Sequence, residues 1–281
     1  MTFSQRLTRS VRDKGNAVLV GLDPRYESLP DAVKTGSVAE SFERFCTEII
    51  DIVAPLVPAV KPQAAFFEQY GPAAMSALER IIRYARSKGL LVIFDGKRND
   101  IGSTAEAYAA GILGKDSAWG ADALTVSPYL GSDSIDPFVK VCVERAAGIF
   151  VLVKTSNPGG GMLQDLQCGT QPLYRHVAEY VERLAQQTDG SVGAVVGATW
   201  SQQLTELRSV MPTAWFLVPG YGSQGGTAKD VQGAFRSDGL GAIVNNSRGI
   251  IFAHQKSPQS RWQDAVEAAA KAMIEELPLR L

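Results

Sequence analysis

Eight short apolar runs, spread along nearly the whole sequence, limit what this chain can fold into more than any other feature. The runs are rich in β-branched residues, and segments with helical periodicity separate them. Strands that are apolar along their whole length are typical of parallel sheets, in which both faces are buried. The runs are AVLVGLD (17–23), PAVKP (58–62), LLVIFDGK (90–97), ALTVSP (123–128), GIFVLVKT (148–155), VGAVVGAT (192–199), AWFLVPG (214–220) and GAIVNNSRG (241–249).

The segments between the runs carry signals for the ends of helices. Ser37 opens one segment and Glu40 follows three residues later, which predicts a capping box at the start of a helix over 37–54. Gly89 closes the segment 71–89, as glycine commonly does after the C-terminus of a helix. Strand and helix are therefore predicted to alternate along the chain.

Eight βα units in a chain of 281 residues predict an α/β fold, a (β/α)8 (TIM) barrel that forms a single domain over residues 1–281. Residues 1–14 are predicted to form a short helix that closes one end of the barrel. An open, doubly wound sheet is the alternative, because periodicity alone does not show that the sheet closes. No linker or low-complexity tract marks a domain boundary.

Composition argues against several classes of partner and chemistry. Lys+Arg 28 against Asp+Glu 29 leaves a net charge of -1, so we expect no binding to nucleic acid or to a membrane. The cysteines Cys46, Cys142 and Cys168 are scattered, which favours neither a disulfide framework nor a zinc site. His176 and His254 are too isolated to suggest a histidine base or metal cluster. Without an apolar export signal or a run of about 18 apolar residues, the chain is expected to be cytoplasmic.

Polar side chains follow most of the predicted strands, at the end where the active sites of such barrels lie. Oppositely charged groups that meet there hold each other ionised, and Asp95 and Lys97 could then repel a substrate carboxylate and deliver a proton. Ordinary solvated loop residues or a structural ion-pair network are the alternatives. The strand-end residues are Asp23, Lys61, Asp95 with Lys97, Ser127, Lys154 and Thr199, and Asp100 follows in the loop after the third run.

Two glycine-rich stretches follow the seventh and eighth runs, where these barrels usually bind phosphate. They are PGYGSQGG (219–226) and NNSRGI (246–251). Gln224 adds a side-chain donor and Arg248 a planar guanidinium, so the pair predicts an anion site rather than a flexible turn with a surface arginine. A dinucleotide-binding G-x-G-x-x-G is a poor alternative, because the match falls in the seventh unit and no acidic residue ends the next strand.

DGKRNDIGST (95–104) resembles the Asp-x-Lys-x-x-Asp signature of the orotidine 5'-phosphate decarboxylase family. The resemblance extends over nearly the whole chain, and the TSNPGG stretch and the overall length resemble the longer bacterial branch of that family. Six further motifs in the right order are far more specific than any one of them alone. They are VGLDPR (20–25), VKPQAAFFE (60–68), TVSPYLG (125–131), KTSNPGG (154–160), VPGYGSQGG (218–226) and NNSRGI (246–251).

The resemblance implies a cofactor-free carboxy-lyase that converts orotidine 5'-monophosphate to UMP and carbon dioxide in de novo pyrimidine biosynthesis. It implies that Lys97 protonates C6 of the pyrimidine, that Asp95 lies against the departing carboxylate, and that Lys61 and Asp100 complete the charged row. No metal is implied.

The resemblance also implies a set of substrate-binding residues and a homodimer. Asp23 would bind the ribose and Ser127 the pyrimidine edge. The phosphate would be held by Gln224, Arg248 and the backbone of Gly249, and the neighbouring subunit would contribute Asp100, Ile101 and Thr104. Lys154 and Asn157 receive no role at this stage.

Two alternatives remain open. Metal-dependent sugar-phosphate decarboxylases and aldolases of the same barrel superfamily share the signature, although they need acidic metal ligands where this chain has Lys61 and Ser127. A non-catalytic nucleotide-binding barrel is the other, although such a protein could dispense with Asp95 and Lys97. Activity that survives a chelator would separate the first alternative from the decarboxylase.

Overall fold

Eight parallel strands close into a barrel in the computed structural model, which describes residues 1–256 and 261–279. Each strand pairs with its neighbours in chain order and the eighth pairs with the first, so the predicted barrel is confirmed over the open sheet. Each predicted run matches one strand, and the third strand extends one residue beyond its run, to Arg98. The strands are β1 (Val18–Leu22), β2 (Ala59–Pro62), β3 (Leu91–Arg98), β4 (Ala123–Val126), β5 (Gly148–Lys154), β6 (Val192–Val196), β7 (Phe216–Val218) and β8 (Ala242–Asn246).

Helices surround the barrel and bury their apolar faces against the outside of the strands. The capping box of Ser37 and Glu40 is present, and Gly89 follows the C-cap residue Lys88 with φ +81°. The helices are α1 (Phe3–Lys14), α2 (Val38–Val53), α3 (Ala65–Glu68), α4 (Gly71–Ser87), α5 (Gly102–Leu113), α6 (Asp136–Arg145), α7 (Gly161–Gln164), α8 (Leu173–Gln187), α9 (Ser201–Val210), α10 (Arg248–Ile251) and α11 (Trp262–Glu276).

The seventh unit departs from the predicted alternation of strand and helix. Between β7 and β8 the chain forms loops and one 3-10 turn, Gln232–Ala234, instead of an α-helix. This segment is rich in glycine and lacks an apolar stripe, so an α-helix there would bury little surface. Arg208 of α9 fastens the turn by donating to the carbonyl of Ala234 at 2.9 Å, while its guanidinium stacks 3.7 Å from the centre of the Phe216 ring.

Helix α1 closes the end of the barrel at which the strands begin, as predicted for residues 1–14. Its buried residues Phe3, Leu7 and Val11 pack against the side chains inside the barrel. The Phe3 ring meets Phe150 edge-on, with 5.9 Å between the ring centres. Access from this end is blocked, so the carboxyl ends of the strands are left as the mouth.

The loop between β5 and α8 is the longest departure from the repeating unit, and it contains α7 and a small hairpin of Gln167–Cys168 with Gln171–Pro172. It extends beside the mouth of the barrel and contributes Asn157 and Gln164 to the cavity there. None of the helices in the described ranges is long and apolar enough to cross a membrane.

Candidate active site

A cavity of about 560 Å³ opens at the carboxyl ends of the strands. The βα loops of a barrel converge at this end, so residues that are distant in sequence meet there. Six of the predicted site residues line the cavity, namely Asp23, Lys61, Asp95, Lys97, Gln224 and Arg248.

Asp95 is the centre of a row of charges on β2 and β3. Lys61 Nζ lies 2.6 Å from its Oδ2 and Lys97 Nζ lies 2.7 Å from its Oδ1. Lys61 and Asp95 are buried, whereas the Lys97 side chain is 47% exposed toward the cavity. Two ammonium groups thus bracket one carboxylate, and the lysine of the signature presents its end to a ligand.

The protonation states in the row follow from burial and charge. Burial alone would raise the pKa of Asp95, but the ammonium groups of Lys61 and Lys97 outweigh it and hold that pKa well below its ordinary range. Burial alone would lower the pKa of Lys61, but the carboxylates of Asp95 and Asp23 raise it above its ordinary value. Asp95 therefore carries a negative charge, and Lys61 a positive one, throughout the physiological pH range.

A bulge at the end of β3 presents the row to the cavity. The pairing between β3 and β4 shifts register between Phe94 and Arg98. Within the bulge Lys97 has φ +45°, a left-handed conformation that costs a residue with a side chain about 1–2 kcal/mol. A Cβ at Gly96 would lie 2.8 Å from the Phe94 ring, which explains a glycine at this position of the signature.

The corner between β1 and β8 offers hydrogen-bond acceptors that have no donor. Asp23 Oδ1 and Asn245 Oδ1 are buried, and no group among the described residues donates to either. Ser247 lies between them and receives a 3.4 Å hydrogen bond from Asn245 Nδ2. Burial raises the pKa of Asp23, and the positive charge of Lys61 opposes this only in part. This corner suits a ligand that carries hydroxyl groups.

Close packing in this corner depends on Gly21. A Cβ there would lie 1.8 Å from Ser247 Oγ and 3.2 Å from Asn245 Oδ1. Because the glycine leaves that space free, Asn245 of β8 and Ser247, just after β8, can lie against the backbone of β1.

The glycine-rich loop after β7 forms a further part of the cavity wall. Gly220, Gly222 and Gly225 have φ values of +97°, +69° and +97°, which suit glycine. The loop closes on itself through a 3.1 Å hydrogen bond from Gly226 N to Gly220 O. Arg248 approaches from the end of β8, where its Nη2 lies 3.3 Å from Ser223 Oγ.

Five predicted site residues do not line this cavity. Gly249 donates its N–H to Asn246 Oδ1 at 3.2 Å and lies in an adjoining groove. Asp100, Ile101 and Thr104 lie where the chain has left the barrel and entered α5. Ser127 is the fifth.

The expectation that Ser127 faces the ligand is not supported by the geometry of β4. Thr125 is the residue of that strand that lines the cavity, and the Ser127 N–H donates to Arg98 O at 2.9 Å, beyond the end of the strand. Ser156, from the next strand end, lines the cavity instead. A Cβ at Gly220 would lie 3.2 Å from Ser156 Cβ and 3.1 Å from Gln224 Oε1, so these two side chains lie close together.

Lys154 and Asn157, which had no role from the sequence, separate in the structure. Lys154 is buried, pairs with Asp165 and lies 4.6 Å from the centre of the Trp200 ring. It fastens the long loop after β5 to the barrel. Asn157 lines the cavity and accepts a 2.7 Å hydrogen bond from Thr155 Oγ1.

Sequence reasoning missed several neutral residues of the cavity. A serine, threonine or amide next to a strand end is also common in ordinary turns, so residue type alone gave no signal. Arg25, the one charged residue among them, stood inside the quoted VGLDPR motif without an assigned role. The missed residues are Arg25, Gln63, Thr125, Thr155, Ser156, Gln164, Ser223, Asn245 and Ser247.

The arrangement can stabilise a developing negative charge and supply a proton. A ligand carboxylate placed beside ionised Asp95 is repelled, and the repulsion falls when the carboxylate leaves as a neutral molecule. The Lys97 ammonium then lies beside the site of the new electron pair. Among residues 1–256 and 261–279, no group of three or more His, Cys, Asp or Glu side chains is placed to hold a metal ion.

Comparison with known proteins gives consistent results over the whole chain. The family model described as Orotidine 5'-phosphate decarboxylase / HUMPS family matches residues 16–264. A protein named orotidine 5'-phosphate decarboxylase from Rhodopirellula baltica is 54% identical to this chain over 99% of both chains. A protein of the same name from Caldicellulosiruptor bescii is 38% identical, over 99% of this chain and 98% of the relative. The structure of Leishmania donovani OMP decarboxylase is 36% identical, with a TM-score of 0.82 over 98% of this chain and 97% of that one.

Proposed function

The chain belongs to the orotidine 5'-phosphate decarboxylase family, and on that premise we propose how its site removes a carboxylate. The enzyme is a carboxy-lyase that converts orotidine 5'-monophosphate to UMP and carbon dioxide in pyrimidine biosynthesis. Sugar-phosphate chemistry is not favoured, because relatives across the full length carry the decarboxylase name. The observation that carries the mechanism is the charged row of Lys61, Asp95 and Lys97, of which the first two are buried.

In the proposed complex, the substrate carboxylate lies against Asp95 and C6 of the pyrimidine lies next to Lys97 Nζ. Asp95 remains ionised because two ammonium groups depress its pKa, so it repels the carboxylate before the reaction. Loss of carbon dioxide removes this repulsion and leaves a carbanion at C6. Lys97, whose ammonium is 2.7 Å from Asp95, donates the proton that completes UMP.

Proton donation cannot supply the whole rate enhancement. A positioned general acid contributes roughly 10²–10⁴-fold, or about 3–5 kcal/mol, whereas enzymes lower barriers by about 8–23 kcal/mol. The remainder has to come from the fixed charges of the row and from binding energy at parts of the substrate that do not react. The ribose and phosphate ends of the site are therefore part of catalysis in this proposal.

We assign the ribose to the corner between β1 and β8. Asp23 Oδ1 and Asn245 Oδ1 are buried acceptors without a donor, and the ribose hydroxyls bring donors. Asp23 was expected in this role from the family resemblance, whereas Asn245 is added by its place in the cavity.

We assign the phosphate to the glycine-rich loop with Gln224 and Arg248, which both line the cavity. The guanidinium can meet phosphate oxygens through two parallel hydrogen bonds. The Gly249 N–H, which was expected to join them, would have to exchange its Asn246 partner for the phosphate. Closure of the loop over the phosphate would exclude water from the charged row.

We assign the pyrimidine edge to Ser156 and Gln224 rather than to Ser127. The first two side chains lie together at the mouth of the cavity, and the third lies outside its lining. A serine hydroxyl and a glutamine amide offer both donors and acceptors to the pyrimidine ring.

The proposed assembly is a homodimer in which the start of α5 reaches the partner's cavity. Ile101 is 54% exposed and Tyr129 is 72% exposed, so both apolar side chains are available to a partner subunit. The interface would bring Asp100, Ile101 and Thr104 to the second site, as the resemblance implied. A cytoplasmic location is also proposed, in keeping with three free cysteines.

The proposal is tested with EDTA-treated protein and orotidine 5'-monophosphate. Ultraviolet absorbance follows loss of the substrate, and released carbon dioxide is measured in parallel. We expect rapid, stoichiometric turnover by the natural chain, and a loss of at least ~10³-fold in Lys97→Ala with UMP binding largely retained. Absence of turnover by the folded natural chain would move the function to the metal-dependent sugar-phosphate enzymes, and appreciable turnover by Lys97→Ala would remove Lys97 as the proton donor.

A further inference from the structure

Thr125 on β4 contacts both catalytic residues of β3. Its buried hydroxyl donates to Asp95 Oδ1 at 2.8 Å and accepts from the backbone N–H of Lys97 at 2.9 Å. The N–H of Lys97 occupies one lone pair of the hydroxyl, and the carboxylate is the acceptor toward which the hydroxyl proton points. One side chain thereby ties the backbone of the proton donor to the carboxylate beside it.

The place of Thr125 in the sheet explains why a side chain makes this bond. The β3–β4 pairing aligns Phe94 with Leu124 and then Arg98 with Val126, so Thr125 faces the whole bulge. A regular ladder would satisfy the Lys97 N–H with a backbone carbonyl of the neighbouring strand. Here the threonine hydroxyl substitutes for that carbonyl, and Lys97 keeps its left-handed φ of +45°.

The same hydroxyl also fixes the carboxylate. Asp95 Oδ1 receives bonds from both Thr125 Oγ1 and Lys97 Nζ, at 2.8 and 2.7 Å, while Oδ2 receives Lys61 Nζ at 2.6 Å. Without the hydroxyl, the carboxylate would lose the one donor of the three that sits on a short, β-branched side chain rather than at the end of a flexible lysine. The Lys97 N–H would lose its partner as well.

We propose that Thr125 is a positioning residue of the decarboxylase, which holds Asp95 and Lys97 in the mutual geometry that aims the ammonium proton at C6. It acts through those two residues, and it needs no contact of its own with the substrate. The inference rests on the function proposed above, and it extends the catalytic row by a residue that neither the signature nor the strand-end charges pointed to.

The test compares Thr125→Val, which removes the hydroxyl at nearly constant volume, with Thr125→Ser, which restores it. We expect kcat of Thr125→Val to fall roughly 10- to 100-fold while KM and the Kd for UMP stay within about twofold. Thr125→Ser should recover kcat to within roughly threefold of the natural chain. Should the valine variant not fold, Thr125→Ala set against Thr125→Ser gives the same contrast.

Proton transfer can also be read without decarboxylation. A group that protonates C6 also removes that proton by microscopic reversibility, so UMP should exchange its C6 hydrogen in D2O at the same site. We expect this exchange, followed by NMR, to slow in Thr125→Val by a factor similar to that in kcat.

A matched control exists at the other end of the barrel. Thr188 is also buried, and its hydroxyl likewise accepts a backbone N–H, from Val192 at 3.3 Å, and donates to Leu184 O at 2.7 Å. Thr188→Val therefore reports the general effect of losing a buried hydroxyl, and its kcat should match the natural chain even if its Tm falls.

The outcomes separate the two levels of the proposal. Absence of turnover by the natural chain would contradict the decarboxylase activity itself. If the natural chain turns over normally, two results would overturn the positioning role alone. The first is a kcat of Thr125→Val within twofold of the natural kcat, and the second is a kcat of Thr125→Val no lower than that of Thr188→Val. A loss of UMP binding as large as the loss of kcat would also overturn it, since the residue would then serve binding.

Discussion

Asn245 ends in a buried carbonyl oxygen that no donor of the described residues reaches, next to the equally unpaired oxygen of Asp23. If a ribose hydroxyl supplies the missing donor, Asn245→Ala removes one neutral hydrogen bond that contributes about 0.5–1.5 kcal/mol. We expect steady-state rates to show a fall of about 2- to 12-fold in kcat/KM for orotidine 5'-monophosphate.

The control for this prediction is the substrate itself. The 2'-deoxy and 3'-deoxy nucleotides each lack one candidate donor, so one of them should bind the natural chain and Asn245→Ala with nearly equal affinity. If the affinity difference between the natural chain and Asn245→Ala stays as large with both deoxy nucleotides as with the full substrate, Asn245 does not bind a ribose hydroxyl.

At this scale the sequence predicted charged residues well and neutral ones poorly. Asp95 and Lys97 directly follow a buried apolar run, where no packing reason for charge exists, so they indicated a site. Thr125 lies inside a run, where threonine is a common strand residue, and its role arises from a bulge that no local pattern encodes. Ser127 was expected from the resemblance, which identifies a strand end without the direction of its side chain, whereas Ser156 is the serine that lines the cavity.

Among the elements, the glycine-rich loop after β7 is tied to helix α11, which does not line the cavity. Tyr221 of the loop is buried in the core, and its hydroxyl donates to Glu276 at the end of α11. This hydrogen bond fixes one side of the loop, while the glycines leave the remainder free to close over a phosphate.

Loss of the hydrogen bond between Tyr221 and Glu276 should lower the reaction rate only for a substrate that carries the phosphate. In Tyr221→Phe the ring still packs but the hydrogen bond is lost, so we expect kcat/KM for orotidine 5'-monophosphate to fall roughly 3- to 10-fold. The nucleoside orotidine, which lacks the phosphate, should react equally with the natural chain and the variant. Steady-state rates with both substrates measure this difference.

Two comparison variants set the scale for the loop. Glu276→Gln keeps an acceptor for the tyrosine hydroxyl and should have a smaller effect than Tyr221→Phe. Arg248→Ala removes the proposed phosphate contact itself and should lower kcat/KM at least ~30-fold, again with the phosphate-bearing substrate only. An equal loss with orotidine in Tyr221→Phe would mean that the tyrosine supports the barrel rather than the loop.

The elements themselves were predicted closely from the sequence, with two instructive differences. All eight strands and the boundaries marked by Ser37 and Gly89 were confirmed, since local patterns and capping chemistry determine them. The missing helix after β7 and the bulge in β3 were not predicted. Both depend on long-range partners, Arg208 for the first and the β4 neighbour for the second.

At the scale of the whole molecule, closure of the barrel and completion of the site are separate problems. Closure follows from the β1–β8 pairing, which no periodicity could show. The β1–β8 pairing does not complete the active site, because Asp100 and Thr104 belong to the signature segment but do not line the cavity of their own chain. A second subunit related by twofold symmetry would bring the same residues to each of two sites.

Mixing two inactive variants tests this shared site. If each site takes Lys97 from one subunit and Asp100 from the other, a dimer of one Lys97→Ala and one Asp100→Ala subunit has both changes in the same site. The second site of that dimer then has the natural residue at both positions. Random pairing of the co-expressed subunits makes about half of the dimers mixed, and each mixed dimer has one active site out of two. Roughly one quarter of all sites should therefore be active, compared with all sites in the natural protein.

Co-expressed Lys97→Ala and Arg248→Ala serve as the control, since both residues line the same cavity and no mixed dimer then has an intact site. Recovery in the first mixture alone would establish Asp100 as a residue of the partner's site, whereas recovery in neither would return Asp100 to its own subunit.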